Sequence, residues 1–133
     1  ALPDTDENLK TALDRAAGGK RLQRILASGN STAALKELKK LYEQMPGIYA
    51  IQWIDPKGVN RFGYPQENSL AGYDYHSNKA PSDKATLEIL DRKKPAVMEA
   101  PLFEERTGIF HFQPVFSSGQ YQGMIYSIIL KNK

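Results

Sequence analysis

The chain has two histidines, and their settings decide whether metal or acid–base chemistry is open to it. His76 lies in GYPQENSLAGYDYHSN, residues 63–78, beside three tyrosines, and His111 lies in GIFHFQPVF, residues 108–116. Neither belongs to an HExxH or HxxxH pair, so a metal site would need carboxylate partners that no motif supplies. The serines occupy loop and cap positions with no GxSxG around them, and no glycine run matches GxGxxG or GxxxxGK[ST]. With no cysteine, thiolate catalysis, disulfides and cysteine-ligated zinc are excluded together. The sequence therefore predicts no catalytic site, no metal and no cofactor.

Binding asks for less: a concave pocket of aromatics with a few placed polar groups. In GIFHFQPVF, strand alternation puts Ile109, His111, Gln113 and Val115 on one face and Phe110, Phe112, Pro114 and Phe116 on the other. A polar pair framed by phenylalanines implies that its face meets something polar. The plainer alternatives are an exposed face or a histidine bonded within the core. Arg61 offers a planar fork for a ligand carboxylate, or else faces solvent from an edge strand. Trp53 and Tyr126 stand on central strands, where aromatics are more often core than ligand platform. Tyr64, Tyr73, Tyr75 and His76 fall in a loop, where core packing explains them less well. Asp83 and Lys84 read equally as lid residues or first-turn helix charges.

The elements that must position these groups are legible in the periodicity. Residues 1–45 are helical in pattern, with Leu9, Leu13, Ala16 or Ala17, then Leu22, Ile25 and Leu26 in one stripe. Gly18-Gly19 predicts a kink or an interruption, each glycine costing about 1 kcal/mol relative to alanine. Gly29 ends the first helix, Asn30 or Ser31 caps the second, and Leu35, Leu38, Leu41, Tyr42 and Met45 form its apolar stripe. IYAIQWI and VNRFGY flank DPKG, a type I turn, and make a hairpin. Neither strand alternates cleanly, as expected when both sheet faces are covered. A crossover from Pro65 to Pro95 holds a short helix opened by Ser82. Strands Ala96 to Phe103, Gly108 to Phe116 and Tyr121 to Lys131 close the chain. This order fits an α+β fold with a five-stranded antiparallel sheet, order 2-1-5-4-3, the N-terminal helices on one face and the loop-helix crossover on the other. A cavity between sheet and crossover follows.

At 133 residues the chain is read as a single domain, residues 1–45 supplying the helices and 46–133 the sheet. Its composition, 41% hydrophobic and 25% charged, is that of a soluble globular protein, and no apolar run approaches the about 20 residues of a membrane span. The opening ALPDTDEN lacks the basic start and apolar stretch of a signal peptide. A charge of +3, from 18 basic and 15 acidic residues spread along the chain, does not indicate nucleic acid binding.

PGIYAIQWIDPKGVNRFGYPQENSLAGYD, residues 46–74, resembles the opening of extracytoplasmic PAS-like sensor domains, the Cache group and its CHASE-like relatives, of sensor histidine kinases and related membrane receptors. The carrying features are Pro-Gly before the first strand, the WIDPKG hairpin, YP ending the second strand, a following Asn, and G-x-D. TGIFHFQPVFSSGQYQGMIYSII is similar to the closing strands. The resemblance implies a pocket between sheet and crossover, with Trp53, Arg61, Tyr73, Tyr75, His76, His111 and Gln113 at positions of the kind that hold ligands. It implies an extracytoplasmic domain of a membrane-anchored protein that binds a small polar or anionic metabolite and signals through its terminal segments to a cytoplasmic output such as a histidine kinase. The stripe of Leu9, Leu13 and Ala16 is a route to a homodimer, unless it packs on the sheet. The alternative role is a ligand-free dimerisation or protein-interaction module of the same fold.

Overall fold

A computed structural model describes residues 12–103 and 106–131. Leu9, and Glu104 and Glu105 between the third and fourth predicted strands, lie outside the described residues. Residues 12–17 are helical (α1), and the Gly18 N–H ends that segment on the carbonyl of Asp14 at 3.0 Å. Gly19 is extended, with φ −76° and ψ 129°, before α2 (Lys20–Ser28) begins. The glycine pair thus interrupts the helix. Gly29 turns the chain at φ 73°, a left-handed conformation natural to glycine. The Asn30 side chain then accepts from the Ala33 N–H at 3.1 Å and opens α3 (Ser31–Glu43).

The Asp55 carboxylate shapes the turn between β1 (Ala50–Ile54) and β2 (Asn60–Tyr64), accepting from the N–H groups of Lys57 at 2.9 Å and Val59 at 3.1 Å. The crossover holds 3-10 turns at Gln66–Asn68 and Tyr75–Ser77 and the helix α4 (Asp83–Arg92). Ser82 occupies the cap position of α4 with no side-chain cap bond; its carbonyl instead accepts from the Thr86 hydroxyl at 3.1 Å. Strands β3 (Ala96–Phe103), β4 (Arg106–Ser117) and β5 (Gln120–Lys131) follow. Ser118 and Gly119, both at positive φ, form the two-residue turn that matches the twist of β4 and β5.

All pairings are antiparallel and the sheet order is β2-β1-β5-β4-β3, as the sequence predicts. Every residue of β1 is buried, because both faces of the sheet are covered. One layer packs Leu13, Leu22, Leu26 and Leu38 of the N-terminal helices on Ile51, Trp53, Val115 and Ile125. The other packs Tyr75, Ile89 and Leu90 of the crossover on Phe110, Phe112, Met124, Tyr126 and Ile128. Each such large apolar side chain removed from water contributes about 1.5–3 kcal/mol. Leu13 therefore spends its burial within the chain. Leu35 departs from the expected stripe: it is 44% exposed, and Ala34 with Leu38 forms the buried line of α3.

Candidate ligand-binding site

A cavity of about 280 Å³ lies between the crossover and the sheet. Phe110 and Phe112 of β4, Tyr126 of β5 and Met98 of β3 form its sheet side, and Tyr73, Tyr75, Asp83 and Thr86 form its crossover side. Alternation explains the sheet side. Phe110 and Phe112 share one face of β4, and Tyr126 pairs with Phe112 in register from β5. The rings of Phe112 and Tyr126 lie 5.0 Å apart.

The crossover holds its tyrosines inward because it is tied to β2 by backbone. Asn60 N–H donates to the Tyr73 carbonyl at 2.8 Å, and Gly72 N–H donates to the Asn60 carbonyl at 2.6 Å. Gly72 adopts φ 95° at this turn, where a side chain would be strained. Tyr73 and Tyr75 then meet edge to face, 5.0 Å between centroids. Beneath them runs a buried polar network. The Tyr75 and Tyr126 hydroxyls are 2.8 Å apart, and Asn60 Nδ2 donates to Gln52 Oε1 at 3.0 Å. The same Gln52 oxygen accepts from the Leu70 N–H at 3.0 Å. The network thus joins β1, β2 and β5 to the crossover.

The cavity has one acidic side chain among its lining residues, Asp83, which is 2% exposed. Its Oδ2 accepts from the Tyr73 hydroxyl and from the Ala80 N–H, the latter at 3.2 Å. Burial pushes the Tyr73 phenol up, and its bond to Asp83 pushes it further. Burial also raises Tyr75, and holds Tyr126 well above the ordinary phenol range. All three hydroxyls are therefore neutral donors at physiological pH. The chamber offers aromatic faces, phenol hydroxyls and one carboxylate, which suits holding a small molecule. Among the described residues there is no cluster of three or more His, Cys, Asp or Glu side chains able to hold a metal.

No protein-family model matches the chain, and no curated protein matches it in sequence. Solved structures do match it in shape. An extracellular ligand-binding receptor from Desulfohalobium retbaense superimposes with a TM-score of 0.73 at 19% identity, covering 96% of this chain and 23% of that one. The sensor domain of the V. cholerae histidine kinase DctB gives 0.64 at 16% identity, covering 94% and 55%. The ligand-binding domain of the Pseudomonas aeruginosa amino acid chemoreceptor PctC, in complex with GABA, gives 0.60 at 12% identity, covering 97% and 53%. The chain shares the PAS-like fold of these sensor and ligand-binding domains. The chain spans between about a quarter and just over half of the length of these three structures.

Within this fold the candidate residues from the sequence fall into three groups. Tyr73 and Tyr75 line the cavity together. Trp53, Tyr64, His111 and Gln113 lie on the opposite, helix-covered side of the sheet. Trp53 stacks on Phe62 at 5.5 Å and donates from Nε1 to the Gln122 carbonyl at 2.8 Å. Tyr64 packs edge-on against Tyr42 of α3. His111 and Gln113 are buried, and Gln113 donates from Nε2 to the Asp14 carboxylate on α1. The polar partner implied for that face is thus a helix side chain. Arg61 and His76 are exposed outside the cavity. Arg61 is the residue that the β1–β2 register skips between Phe62 and Asn60, and it pairs with Asp55 at 3.6 Å. His76 sits 3.0 Å from Asp74 and borders a more open depression with Lys57, Lys93 and Tyr121.

Phe110, Phe112, Tyr126 and Asp83 are among the cavity residues that are not candidates from the sequence. The phenylalanine face of β4 was visible as a face, but nothing in a period of two says which layer covers it. Asp83 reads from the sequence equally as a lid residue or a first-turn charge.

Proposed function

We propose that this chain is the extracytoplasmic sensor domain of a membrane-anchored receptor, binding a small polar metabolite in the crossover cavity. The observation that supports this best is the cavity itself, walled by aromatics and closed by a crossover segment bonded to the central strand through Tyr75 and Tyr126. The shared fold with sensor and ligand-binding domains points the same way.

The transmission we propose runs through β4. Phe112 faces the cavity and its neighbour Gln113 holds Asp14 on α1, so a ligand that repositions β4 also repositions the first helix. In the full-length protein that helix and the end of β5 would carry the signal to a cytoplasmic output such as a histidine kinase. Homodimerisation through the N-terminal helices fits the same scheme. Because Leu13 is buried on the sheet, such pairing would use the outward side of α1. No helix among the described residues is long and apolar enough to cross a membrane. Membrane anchoring is assigned here to segments flanking the domain.

A metabolite screen by thermal shift tests the reading. A ligand present at 100 times its dissociation constant adds about 2.7 kcal/mol of stability. A hit whose effect disappears in a cavity-filling variant supports the sensor. Absence of any hit across a broad library favours the ligand-free interaction module.

A further inference from the structure

We infer that the ligand is an organic ammonium, an amine on an apolar body, and that Asp83 receives its charged end. This rests on the reading of the crossover cavity as the sensor's ligand site. Three observations carry it. First, Asp83 is 2% exposed, and a carboxylate so deeply placed is ordinarily paired with a cation. Among the described residues it has no salt-bridge partner within 4.0 Å, although Arg21, Lys40, Arg61 and Lys131 all have acidic partners elsewhere.

Second, both side-chain hydrogen bonds of Asp83 end on Oδ2, from Tyr73 and Ala80, so Oδ1 is left without a partner among the described residues. The two donors fix the carboxylate in orientation, and the remaining oxygen is available to a bound N–H group. Third, the rest of the chamber is aromatic: Tyr73, Tyr75, Phe110, Phe112 and Tyr126 present rings around the space beside Asp83. Ring faces attract cations and pack against hydrocarbon, and they offer nothing to an anion.

A carboxylate ligand would meet the opposite conditions. It would bring a second negative charge next to Asp83, and the guanidinium of Arg61 is outside the cavity with Asp55. Among the described residues lining the cavity the cationic side chain is Lys79, which is exposed. An amino acid could place its carboxylate there, so the test separates amines from amino acids as well as from acids.

Isothermal titration of the wild-type domain with matched skeletons decides it. The probes are a series of primary amines from propylamine to phenethylamine, the corresponding alcohols and carboxylates, and the corresponding amino acids. At least one amine is expected to bind saturably, about tenfold or more tighter than its alcohol, its carboxylate and its amino acid. Asp83→Asn should remove the amine's advantage over the alcohol. The wild-type series stands alone if that variant fails to fold. Equal or tighter binding of a carboxylate or amino acid, or binding indifferent to charge, would overturn the ligand class and leave the sensor reading standing. No binding by any probe, together with no hit in the broad metabolite screen, would remove both.

Discussion

The Tyr75 and Tyr126 hydroxyls lie 2.8 Å apart, joining the crossover to the fully buried centre of β5. The bond fastens the outer wall of the cavity to its floor. A neutral hydrogen bond of this kind contributes about 0.5–1.5 kcal/mol net. Tyr75→Phe and Tyr126→Phe are each expected to lower the unfolding free energy by about that amount. Because both remove one shared bond, the double variant should lose less than the sum. Urea denaturation of the four proteins checks this, and strict additivity would argue that the two hydroxyls are not coupled.

The same pair sets an alkaline limit on stability. Burial raises Tyr75, holds Tyr126 well above the ordinary phenol range, and brings Tyr121 to about 12. In the unfolded chain a phenol ionises near pH 10. Above that pH the unfolded state has released protons that the folded state keeps, so the unfolding free energy falls as pH rises. Below the unfolded value both states are protonated and the stability is fully present. Unfolding curves between pH 8 and pH 11 should be flat for this contribution up to about pH 9 and then fall, less steeply in Tyr126→Phe than in the wild type. An equal alkaline slope in that variant would contradict the assignment.

Gln113 and Asp14 connect the sheet to the first helix. Gln113→Leu keeps the buried volume and removes the donor to Asp14, so a loss of about 1–3 kcal/mol is expected. The loss should be local. Hydrogen exchange of residues 12–17 should accelerate more than exchange in β4 or β5, whose ladder is untouched. Uniform acceleration through the sheet would mean that Gln113 supports the core rather than the docking of α1.

The fold was legible where chemistry is local. Gly18-Gly19, Gly29, Asn30 and DPKG each act on their own backbone, so their breaks, caps and turn could be read directly. Strand alternation likewise separated Phe110 and Phe112 from His111 and Gln113. What it lacked was the identity of the covering layer, which depends on contacts far apart in sequence. The polar pair of β4 therefore lies on the face that Asp14 covers. Arg61 stands outside the cavity for a related reason, since a one-residue irregularity in β1–β2 pairing changes where a side chain points. Asp83 carries no sequence signal that separates a buried carboxylate from a solvated first-turn charge. Leu35 stands at a helical spacing, and the smaller Ala34 takes the buried position beside Leu38.

Gly123 tests the packing of the hairpin end against β5. It adopts φ 94°, and a Cβ there would run into the carbonyl oxygen of Ile54. Strain at positive φ and a backbone clash act together, so Gly123→Ala is expected to cost about 2–5 kcal/mol. Chemical denaturation measures it. Gly119→Ala, at φ 79° with open space around it, should cost less. Equal losses at the two glycines would mean that the close approach to Ile54 carries no energy of its own.

Binding in the crossover cavity is tested most directly by filling it. Met98 is half-buried on its wall, and Met98→Trp fills the space while leaving the Tyr75–Tyr126 bond in place. The decisive measurement is titration of the wild type and this variant with a ligand that stabilises the wild type. The account predicts saturable one-site binding to the wild type and at least about a hundredfold weaker binding to a variant that stays folded, since a filled cavity excludes the ligand. Undiminished affinity in Met98→Trp would contradict it and place the ligand elsewhere on the domain.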